Sequence, residues 1–403
     1  MTIFYGVVSP PSDPMKDTTL PIAALAEPFA ASAFATGRGA AQLAVEAQKA
    51  RKFGKMFVAA ILESVARVLP QAPSLAHAID TWPGDLASAG VIFRLNAGLH
   101  ALARSGKHPG LAAIYSRAQP AQAPEPSLLD RTLSMALHDC EADLLEWMSG
   151  PTQTNEVARV AGLAAVLMEL DARAPMPTHL LELGSSAGLN LNLRHYSLRL
   201  GTHGTGDPAS AVSIAPRWIG PSPKSERIDL ASAKGVDLNP LDVRRDADSE
   251  RLHAYIWPGE QVRSERLRAA IAIARVHPPQ VERGRAGEWL VRELAAQPPQ
   301  GERRVIFHSM VTQFLPESDR RMIDWAMAEA GRAASPAAPL VRVGLEWNPG
   351  RTAVVVTVTQ WNGRPGSGHP VIFAECHPYA EWFSWIGPEG REVAAQLDNG
   401  VVA

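Results

Sequence analysis

The sequence predicts an α/β protein in which a mainly parallel β-sheet follows an all-helical region. Before Pro175, apolar residues recur at intervals of three and four, which is the period of an amphipathic helix. After Pro175, short apolar runs alternate with amphipathic stretches, a pattern typical of strand–helix crossover units. Near the C-terminus, two apolar runs are separated only by a Gly- and Pro-rich turn, so they should pair as antiparallel strands.

The first part of the chain is expected to contain four to six helices between residues 31 and 171. Phe53, Phe57 and Ile61 begin one apolar stripe, and Pro70 ends that helix because proline has no amide hydrogen to donate. We place the domain boundary at about Gly150. Residues 1–150 then form a helical domain that acts as a lid or binds substrate, and residues 151–403 form the sheet domain.

The second part is expected to contain five parallel strands with helices between them. The predicted strands are 179–183, 236–238, 281–283, 305–308 and 340–345. The predicted helices are 250–254, 264–275, 288–295 and 320–330. Residues 353–361 and 371–377 should form the C-terminal antiparallel pair, and an inserted hairpin is predicted at about 196–218, with arms 196–200 and 212–218.

Composition excludes several classes of protein. The 39 basic and 41 acidic side chains among 403 residues leave a net charge of -2, which gives no basis for bulk nucleic-acid binding. Cys140 and Cys376 are too far apart for a zinc knuckle, and the histidines lack acids at ligand spacing, so no metal is expected. No apolar run is long enough to span a membrane, and residues 1–14 lack a signal-peptide pattern. We therefore expect a cytoplasmic protein with a small-molecule partner and no membrane partner.

The most distinctive motif is LLELGSSAGLN at residues 180–190. An apolar strand carries an acid near its end, and the chain then passes through small residues into a predicted helix. Small residues let a ligand approach the backbone, and a helix N-terminus offers free amides, which favours an anionic or carboxylate-bearing part of a ligand. The pattern E-x-G-x-x-x-G resembles the first motif of class I S-adenosylmethionine-dependent methyltransferases, with Ser186 where a glycine often lies.

This resemblance implies a Rossmann-like sheet of seven strands and S-adenosylmethionine as cofactor. It implies cofactor contacts at positions in and beside the motif, namely Glu182, Gly184, Ser185, Ser186, Gly188 and Asn190. Asp237 and Asn239 follow the second predicted strand, where an acid can accept both ribose hydroxyls. The alternative for Asp237 is a turn-forming role beside Asn239-Pro240.

Several segments together resemble one bacterial family. QTNEVAR at 153–159, ELGSSAGLN at 182–190, GVDLNPLDV at 235–243, Trp257-Pro258 and Phe307-His-Ser309 occur in this order. They are similar to the family known as domain of unknown function 2332. That resemblance implies a helical N-terminal region and a methyltransferase-like Rossmann region, but it implies no substrate. The chain has Arg285 where the family tends to have an aspartate.

Polar residues after the later strands are the candidate catalytic groups. His308 and Ser309 follow the fourth predicted strand, and Glu346 ends the fifth. His308 is a candidate base for an O or N nucleophile, and the alternative is a hydrogen-bonded structural histidine. Helix capping explains only part of the polar segment before the first strand. We therefore predict that four of its residues border the pocket as a lid or on the substrate side: Gln153, Asn155, Glu156 and Arg159.

Three functions follow from these patterns. The first is an S-adenosylmethionine-dependent methyltransferase that acts on a small molecule, and the second is a non-catalytic binding protein with the same fold. The third is a serine hydrolase, because residues 184–188 also fit the G-x-S-x-G nucleophile elbow, with Ser186 as nucleophile and His308 or His377 as base. An elbow of this kind normally follows several strands, whereas everything before residue 179 is predicted to be helical.

Overall fold

The computed structural model describes residues 37–225, 227–296 and 300–390. Within these residues a helical N-terminal region is followed by a mixed α/β region with a large, mostly parallel sheet. The prediction about residues 1–14 and the predicted start of the helical region at residue 31 lie outside the described part of the chain. No helix in the described ranges is both long and apolar enough to cross a membrane.

The helical region contains more helices than the periodicity predicts. Its α-helices are α1 (Arg38–Lys52), α2 (Met56–Val68), α3 (Pro73–Asp80), α4 (Val91–Arg104), α5 (Pro109–Tyr115), α6 (Pro126–Asp139) and α7 (Glu141–Ser149), and α8 (Val160–Arg173) leads into the sheet. The two shortest, α3 and α5, each begin with a proline and bury only two or three residues. They are too short to show a helical period in the sequence. The helices enclose a core of their own around Leu43, Ile61 and Leu95.

In the rest of the described chain, twelve strands and four more α-helices follow. The strands are β1 (Thr178–Leu183), β2 (Ser197–Leu200), β3 (His203–Gly206), β4 (Ser213–Ile214), β5 (Arg217–Ile219), β6 (Leu230–Asp237), β7 (Gln280–Arg283), β8 (Arg303–Ser309), β9 (Leu340–Trp347), β10 (Val354–Trp361), β11 (Pro370–Cys376) and β12 (Trp382–Trp385). The helices are α9 (Asp246–Ala254), α10 (Gln261–Val276), α11 (Ala286–Ala295) and α12 (Glu317–Ala333). All five predicted parallel strands and all four predicted helices are present.

The main sheet has nine strands in the order β5-β12-β11-β10-β9-β8-β1-β6-β7. Strands β7, β6, β1, β8 and β9 are parallel, and β10 and β11 form the predicted antiparallel pair. The prediction of seven strands is wrong, because β12 pairs with β11 and β5 pairs with β12. These two added strands have four and three residues, too few for alternating burial to stand out in the sequence.

The predicted inserted hairpin is instead a small sheet of three strands. β2 pairs antiparallel with β3 and parallel with β4. The predicted second arm is therefore divided between β4, which belongs to this small sheet, and β5, which belongs to the main sheet. The missed strand β3 has the sequence HGTG and no apolar side chain, which is why its pattern gave no strand signal.

Helices cover both faces of the main sheet. Leu163 and Val166 of α8 pack with Val305 and Val343 on one face. On the other face, Trp289 of α11 and Ile323 of α12 pack with Leu181, Leu183 and Ile306. Because side chains alternate along a strand, Leu180 and Glu182 of β1 point toward the α8 face. The chain adds β6 and β7 on one side of β1 and then β8 and β9 on the other, so the strand order reverses at β1.

Candidate functional site

The turn after β1 is built from three residues in the left-handed conformation. Gly184, Ser186 and Gly188 have φ values of 67°, 53° and 69°. A Cβ atom at Gly184 would collide with Cγ2 of Val311, and one at Gly188 would collide with Cγ2 of Val281. The glycines therefore allow both the turn and the close packing of two neighbours against it, β7 and the segment between β8 and α12.

A 3-10 helix with a break at Asn192, Leu189–His195, follows this turn. The side chains of its two asparagines form hydrogen bonds to residues outside this helix. Nδ2 of Asn190 donates to Oε1 of Glu182 at 2.8 Å, and Nδ2 of Asn192 donates to the carbonyl of His277 at 2.9 Å. Such side-chain bonds compete with regular helix formation. The dipole of a full α-helix, expected from the sequence to favour an anionic ligand part, is therefore absent at this described turn.

Asp237 joins the end of β6 to the turn after β1. Its Oδ2 accepts a hydrogen bond from the amide of Ser186, and its Oδ1 accepts one from the amide of Asn239, both at 2.8 Å. The second bond is the turn-forming contact that the Asx alternative predicted. Each carboxylate oxygen has two lone pairs, so Asp237 retains acceptor capacity beyond these two bonds.

Gln153 and Asn155 lie across the same turn. Nε2 of Gln153 donates to the carbonyl of Asn239 at 3.0 Å, and the hydroxyl of Ser186 donates to Oε1 of Gln153 at 2.5 Å. Nδ2 of Asn155 donates to the carbonyl of Ser185 at 3.0 Å. Gln153 is only 3% exposed. The segment predicted to be a lid therefore closes over the turns that follow β1 and β6.

Glu182 lies beneath the turn and is almost completely buried. Burial raises the pKa of Glu182 to about 8, and the charge of Asp237 also raises it. The side chain is therefore mostly protonated at neutral pH. Among the described residues, Oε2 of Glu182 and the side-chain oxygens of Asn190 and Asn155 are buried without a hydrogen-bond partner.

His308 and Glu346 lie at the ends of neighbouring strands β8 and β9. Nδ1 of His308 is 2.8 Å from Oε1 of Glu346, and Nε of Arg342 donates to Nε2 of His308 at 3.0 Å. Because Nε2 accepts from Arg342, the proton of a neutral imidazole must lie on Nδ1. Burial lowers the pKa of His308, and the charge of Arg342 lowers it further. Both ring nitrogens are thus engaged.

Glu346 also holds the backbone after β8. Its Oε1 accepts bonds from the amides of Val311 at 3.1 Å and Thr312 at 3.4 Å, in addition to the bond from His308. No side chain or amide in the described ranges donates to Oε2. Val311 packs on Gly184, so Glu346 is separated from the turn after β1 by a single residue. Ser309 is half-buried at the end of β8.

The four predicted lid residues separate into two groups. Gln153 and Asn155 contact the turn after β1, whereas Glu156 and Arg159 lie in an ionic cluster with α10. Glu156 accepts from Nε of Arg263 at 2.6 Å and from Nη1 of Arg266 at 3.2 Å. Burial raises the pKa of Glu156, but the charges of Arg263, Arg266 and Arg159 outweigh burial and hold it below its usual range.

Sequence reasoning missed the other members of this cluster. Glu260 bonds to Nη1 of Arg263, and Nζ of Lys55 lies 2.5 Å from Oε1 of Glu260. Lys55 precedes α2, and Glu260 precedes α10, so 205 positions separate the partners of this ion pair. The only sequence signal was a charge-rich stretch at 260–268, which is also the pattern of a solvated helix face.

A cleft of about 330 Å³ opens beside this cluster, and we refer to it as the interlobe cleft. It lies between the helical region and the sheet region, with walls from six separate segments. Its lining residues are Lys55, Pro120, Ala158, Ile214 to Pro216, Glu260 to Arg263, Arg266 and Tyr379 to Glu381. His377, an alternative base in the hydrolase hypothesis, is buried nearby, with Nδ1 3.8 Å from Glu381.

Comparison with known families assigns the chain to one group. A family model described as "Uncharacterized protein conserved in bacteria (DUF2332)" matches residues 40–385. The chain belongs to this family. The DUF2332 match extends from α1 to β12, so it includes the helical region, the turn after β1 and the interlobe cleft. No curated protein and no solved structure matches the chain.

Proposed function

We propose that this DUF2332 protein binds S-adenosylmethionine at the turn after β1 and transfers its methyl group to an O or N nucleophile of a small molecule. The observation that carries the proposal is the position of the turn Gly184–Gly188. It follows the central strand β1, lies beside Asp237 of β6, and stands where the strand order reverses. Crevices at such points, outside the carboxyl ends of parallel strands, are the usual ligand sites of open α/β sheets.

The polar groups around the turn suit this cofactor. Three buried oxygens, on Glu182, Asn190 and Asn155, have no partner among the described residues. Two of them, the amide oxygens of the asparagines, can only accept hydrogen bonds. S-adenosylmethionine carries an amino group and two ribose hydroxyls as donors. Asp237 retains lone pairs for hydroxyls, so this cofactor fits the residues present, provided that Gln153 turns away from Ser186 and Asn239.

Glu346 is the residue best placed to remove a proton from the methyl acceptor. Its Oε1 is fixed by His308, Val311 and Thr312, which leaves Oε2 as the free oxygen. A base of this kind needs a fixed position and an available lone pair. His308 orients Glu346, and its own predicted role as base would first require Arg342 to release Nε2. The bound cofactor would supply an electrophilic methyl group, and the protein would position the nucleophile and exclude water.

One observation favours the second function, a non-catalytic binding protein. At the position where the family tends to have an aspartate, this chain has Arg285, which forms an ion pair with Asp319 at 3.0 Å. The carboxylate that could accept a hydrogen bond from the cofactor is therefore missing at this position. The hydrolase hypothesis is less supported by the site. The left-handed φ of Ser186 suits a nucleophile elbow, but its hydroxyl donates to the amide oxygen of Gln153, which cannot act as a general base.

Calorimetric titration of the full chain with S-adenosylmethionine and S-adenosylhomocysteine tests the proposal. We expect both to bind, and we expect Gly184→Asp to abolish binding because its side chain would enter the turn beside Val311. Gly301→Asp is the matched control, since Gly301 also has a positive φ but faces open space. The absence of binding at millimolar ligand would rule out the proposed function, and labelling of Ser186 by a fluorophosphonate would support the hydrolase instead.

A further inference from the structure

The interlobe cleft has a charge distribution that its own side chains do not balance. Four cations lie in or directly behind its walls: Lys55, Arg159, Arg263 and Arg266. Three largely buried carboxylates act on them: Glu156 and Glu260 form ion pairs with Lys55, Arg263 and Arg266, and the charge of Glu346 acts on Arg159. The remaining acid at the cleft is Glu381, whose side chain is 48% exposed and therefore screened by water.

Arg159 shows this excess most clearly. It is 4% exposed, its Nε donates to the carbonyl of Pro378 at 2.9 Å, and it forms no ion pair with a described carboxylate. Burial lowers the pKa of Arg159, and the charges of Glu156 and Glu346, which act in the opposite direction, do not restore it to its ordinary value. The equally buried Arg303 is different, because it donates to the carbonyls of Leu170 and Ala174 at the negative end of α8.

Helix α10 begins at this place, which adds positive potential. The other nearby helix start is already capped, because Glu156 accepts a bond from the amide of Ala158 in the 3-10 turn that leads into α8. Gln261, Val262 and Arg263 form both the first turn of the 16-residue α10 and part of the cleft wall, and no side chain caps that helix. In the described structure the amides of Val262 and Arg263 have no hydrogen-bond partner. Free amides at the positive end of a helix attract an anion.

Arg266 supplies a charged group with unused donors. It lines the cleft, and its one ionic contact is the 3.2 Å bond to Glu156, a carboxylate that Arg263 already binds at 2.6 Å. Its Nε is buried and has no partner among the described residues. The cleft is also lined by apolar side chains, namely Pro120, Ile214 and Pro216, and by Tyr379, whose ring centroid lies 4.0 Å from Cζ of Arg263.

We propose that the interlobe cleft binds a small molecule that has one carboxylate and an apolar body. The carboxylate contacts Arg266 and the first turn of α10, and the apolar body lies against Ile214, Pro216 and Tyr379. This site is distinct from the turn after β1, and the inference does not depend on the proposed methyl transfer. A ligand of this kind would balance the positive charge that the buried glutamates leave uncompensated.

Benzoate is the first probe, because it combines a carboxylate with an apolar ring. Thermal unfolding and calorimetry of the full chain should show binding of benzoate, weaker binding of acetate, and no binding of benzamide or benzylamine. Arg266→Gln should weaken benzoate binding by about tenfold or more, as expected for the loss of a charged hydrogen bond. Arg268→Gln is the control, because Arg268 is exposed on the same helix.

A second pair of variants leaves the ionic cluster unchanged. Val262 is 68% exposed at the edge of the cleft, and Val276 is 73% exposed at the other end of α10. Val262→Glu should repel benzoate, whereas Val276→Glu should bind it like the unmodified protein. The inference is overturned if benzoate fails to bind at millimolar concentration, if benzamide binds as well as benzoate, or if Val262→Glu and Arg266→Gln bind benzoate unchanged.

Discussion

The side-chain amide of Gln153 donates a hydrogen bond to the backbone carbonyl of Asn239 at 3.0 Å. Together with the bond from Ser186, this contact spans the two turns that follow the neighbouring strands β1 and β6. Gln153 precedes β1 by 25 positions, so a segment outside the sheet covers the crevice at its centre. Access to that crevice therefore depends on how strongly Gln153 is held.

Gln153→Ala should increase the affinity for S-adenosylmethionine. The substitution removes two hydrogen bonds that the bound state must break, which corresponds to about a tenfold gain in affinity. Calorimetric titration measures this change. Thr154→Ala is the matched control, because Thr154 is the next residue and its hydroxyl forms no hydrogen bond with the described residues. Equal or weaker binding by Gln153→Ala would show that Gln153 does not cover the cofactor site.

The variant Glu182→Gln should be more stable than the unmodified protein, and the difference in stability should grow as the pH rises. Folding raises the pKa of Glu182 from its ordinary value of 4.5 to about 8, so the folded state favours the neutral acid. The protonated carboxyl of Glu182 therefore makes its full contribution to the free energy of unfolding below pH 4.5, and this contribution is lost as the pH rises toward 8. Glutamine is neutral at every pH and keeps the acceptor for Asn190.

Urea unfolding at pH 5, 7 and 9 measures this effect. The stability difference between Glu182→Gln and the unmodified protein should grow from pH 5 to pH 7 and reach its plateau by pH 9. Glu265→Gln, at an exposed site on α10, should show no such trend. A difference that stays constant with pH would contradict the buried, protonated state of Glu182.

His308 should titrate below the range of an ordinary exposed histidine, and its neutral form should carry the proton on Nδ1. Burial and the charge of Arg342 lower the pKa of His308, and Arg342 occupies Nε2. Nitrogen-15 NMR of the imidazole groups distinguishes the two tautomers from the cation. His308→Gln identifies the signals by their loss. A titration midpoint of His308 at or above that of an ordinary exposed histidine, or a neutral form with its proton on Nε2, would contradict the observed arrangement.

Lys55→Met should destabilise the fold by about 3 kcal/mol, because it leaves the buried carboxylate of Glu260 with one cation fewer. The side chain of Lys55 is 13% exposed and that of Glu260 is 4% exposed. Urea unfolding measures the loss. Lys52→Met is the control, since Lys52 is exposed three residues earlier at the end of α1. Equal stability of the two variants would show that the Lys55–Glu260 pair does not join the two regions.

The sequence was sufficient to predict the five parallel strands and their helices, because apolar runs such as 305–308 are buried on both faces and stand out from their surroundings. It was not sufficient for β5 and β12, which are short and depend on pairing with distant strands. Helix capping did not explain Gln153 and Asn155, and the structure places both against the turn after β1. Their role as a lid or substrate contact stays a prediction.

The ionic cluster could not be predicted in the same way. Lys55 and Glu260 are far apart in sequence, and each lies in a charged stretch that is also typical of a solvated surface. They come together in the fold, where Trp257, shortly before α10, belongs to the same buried core as Phe57 of α2. His308 could be placed at a strand end, but its engagement on both ring nitrogens depends on Arg342 and Glu346 of the neighbouring strand β9.

The most direct test of the central claim is photo-crosslinking of methyl-labelled S-adenosylmethionine to the full chain, followed by mapping of the labelled peptide. The predicted result is label in residues 178–194 or 236–243, and loss of that label in Gly184→Asp but not in Gly301→Asp. Label confined to other segments, such as the first turn of α10, or no specific label at all, would contradict the claim that the turn after β1 binds this cofactor.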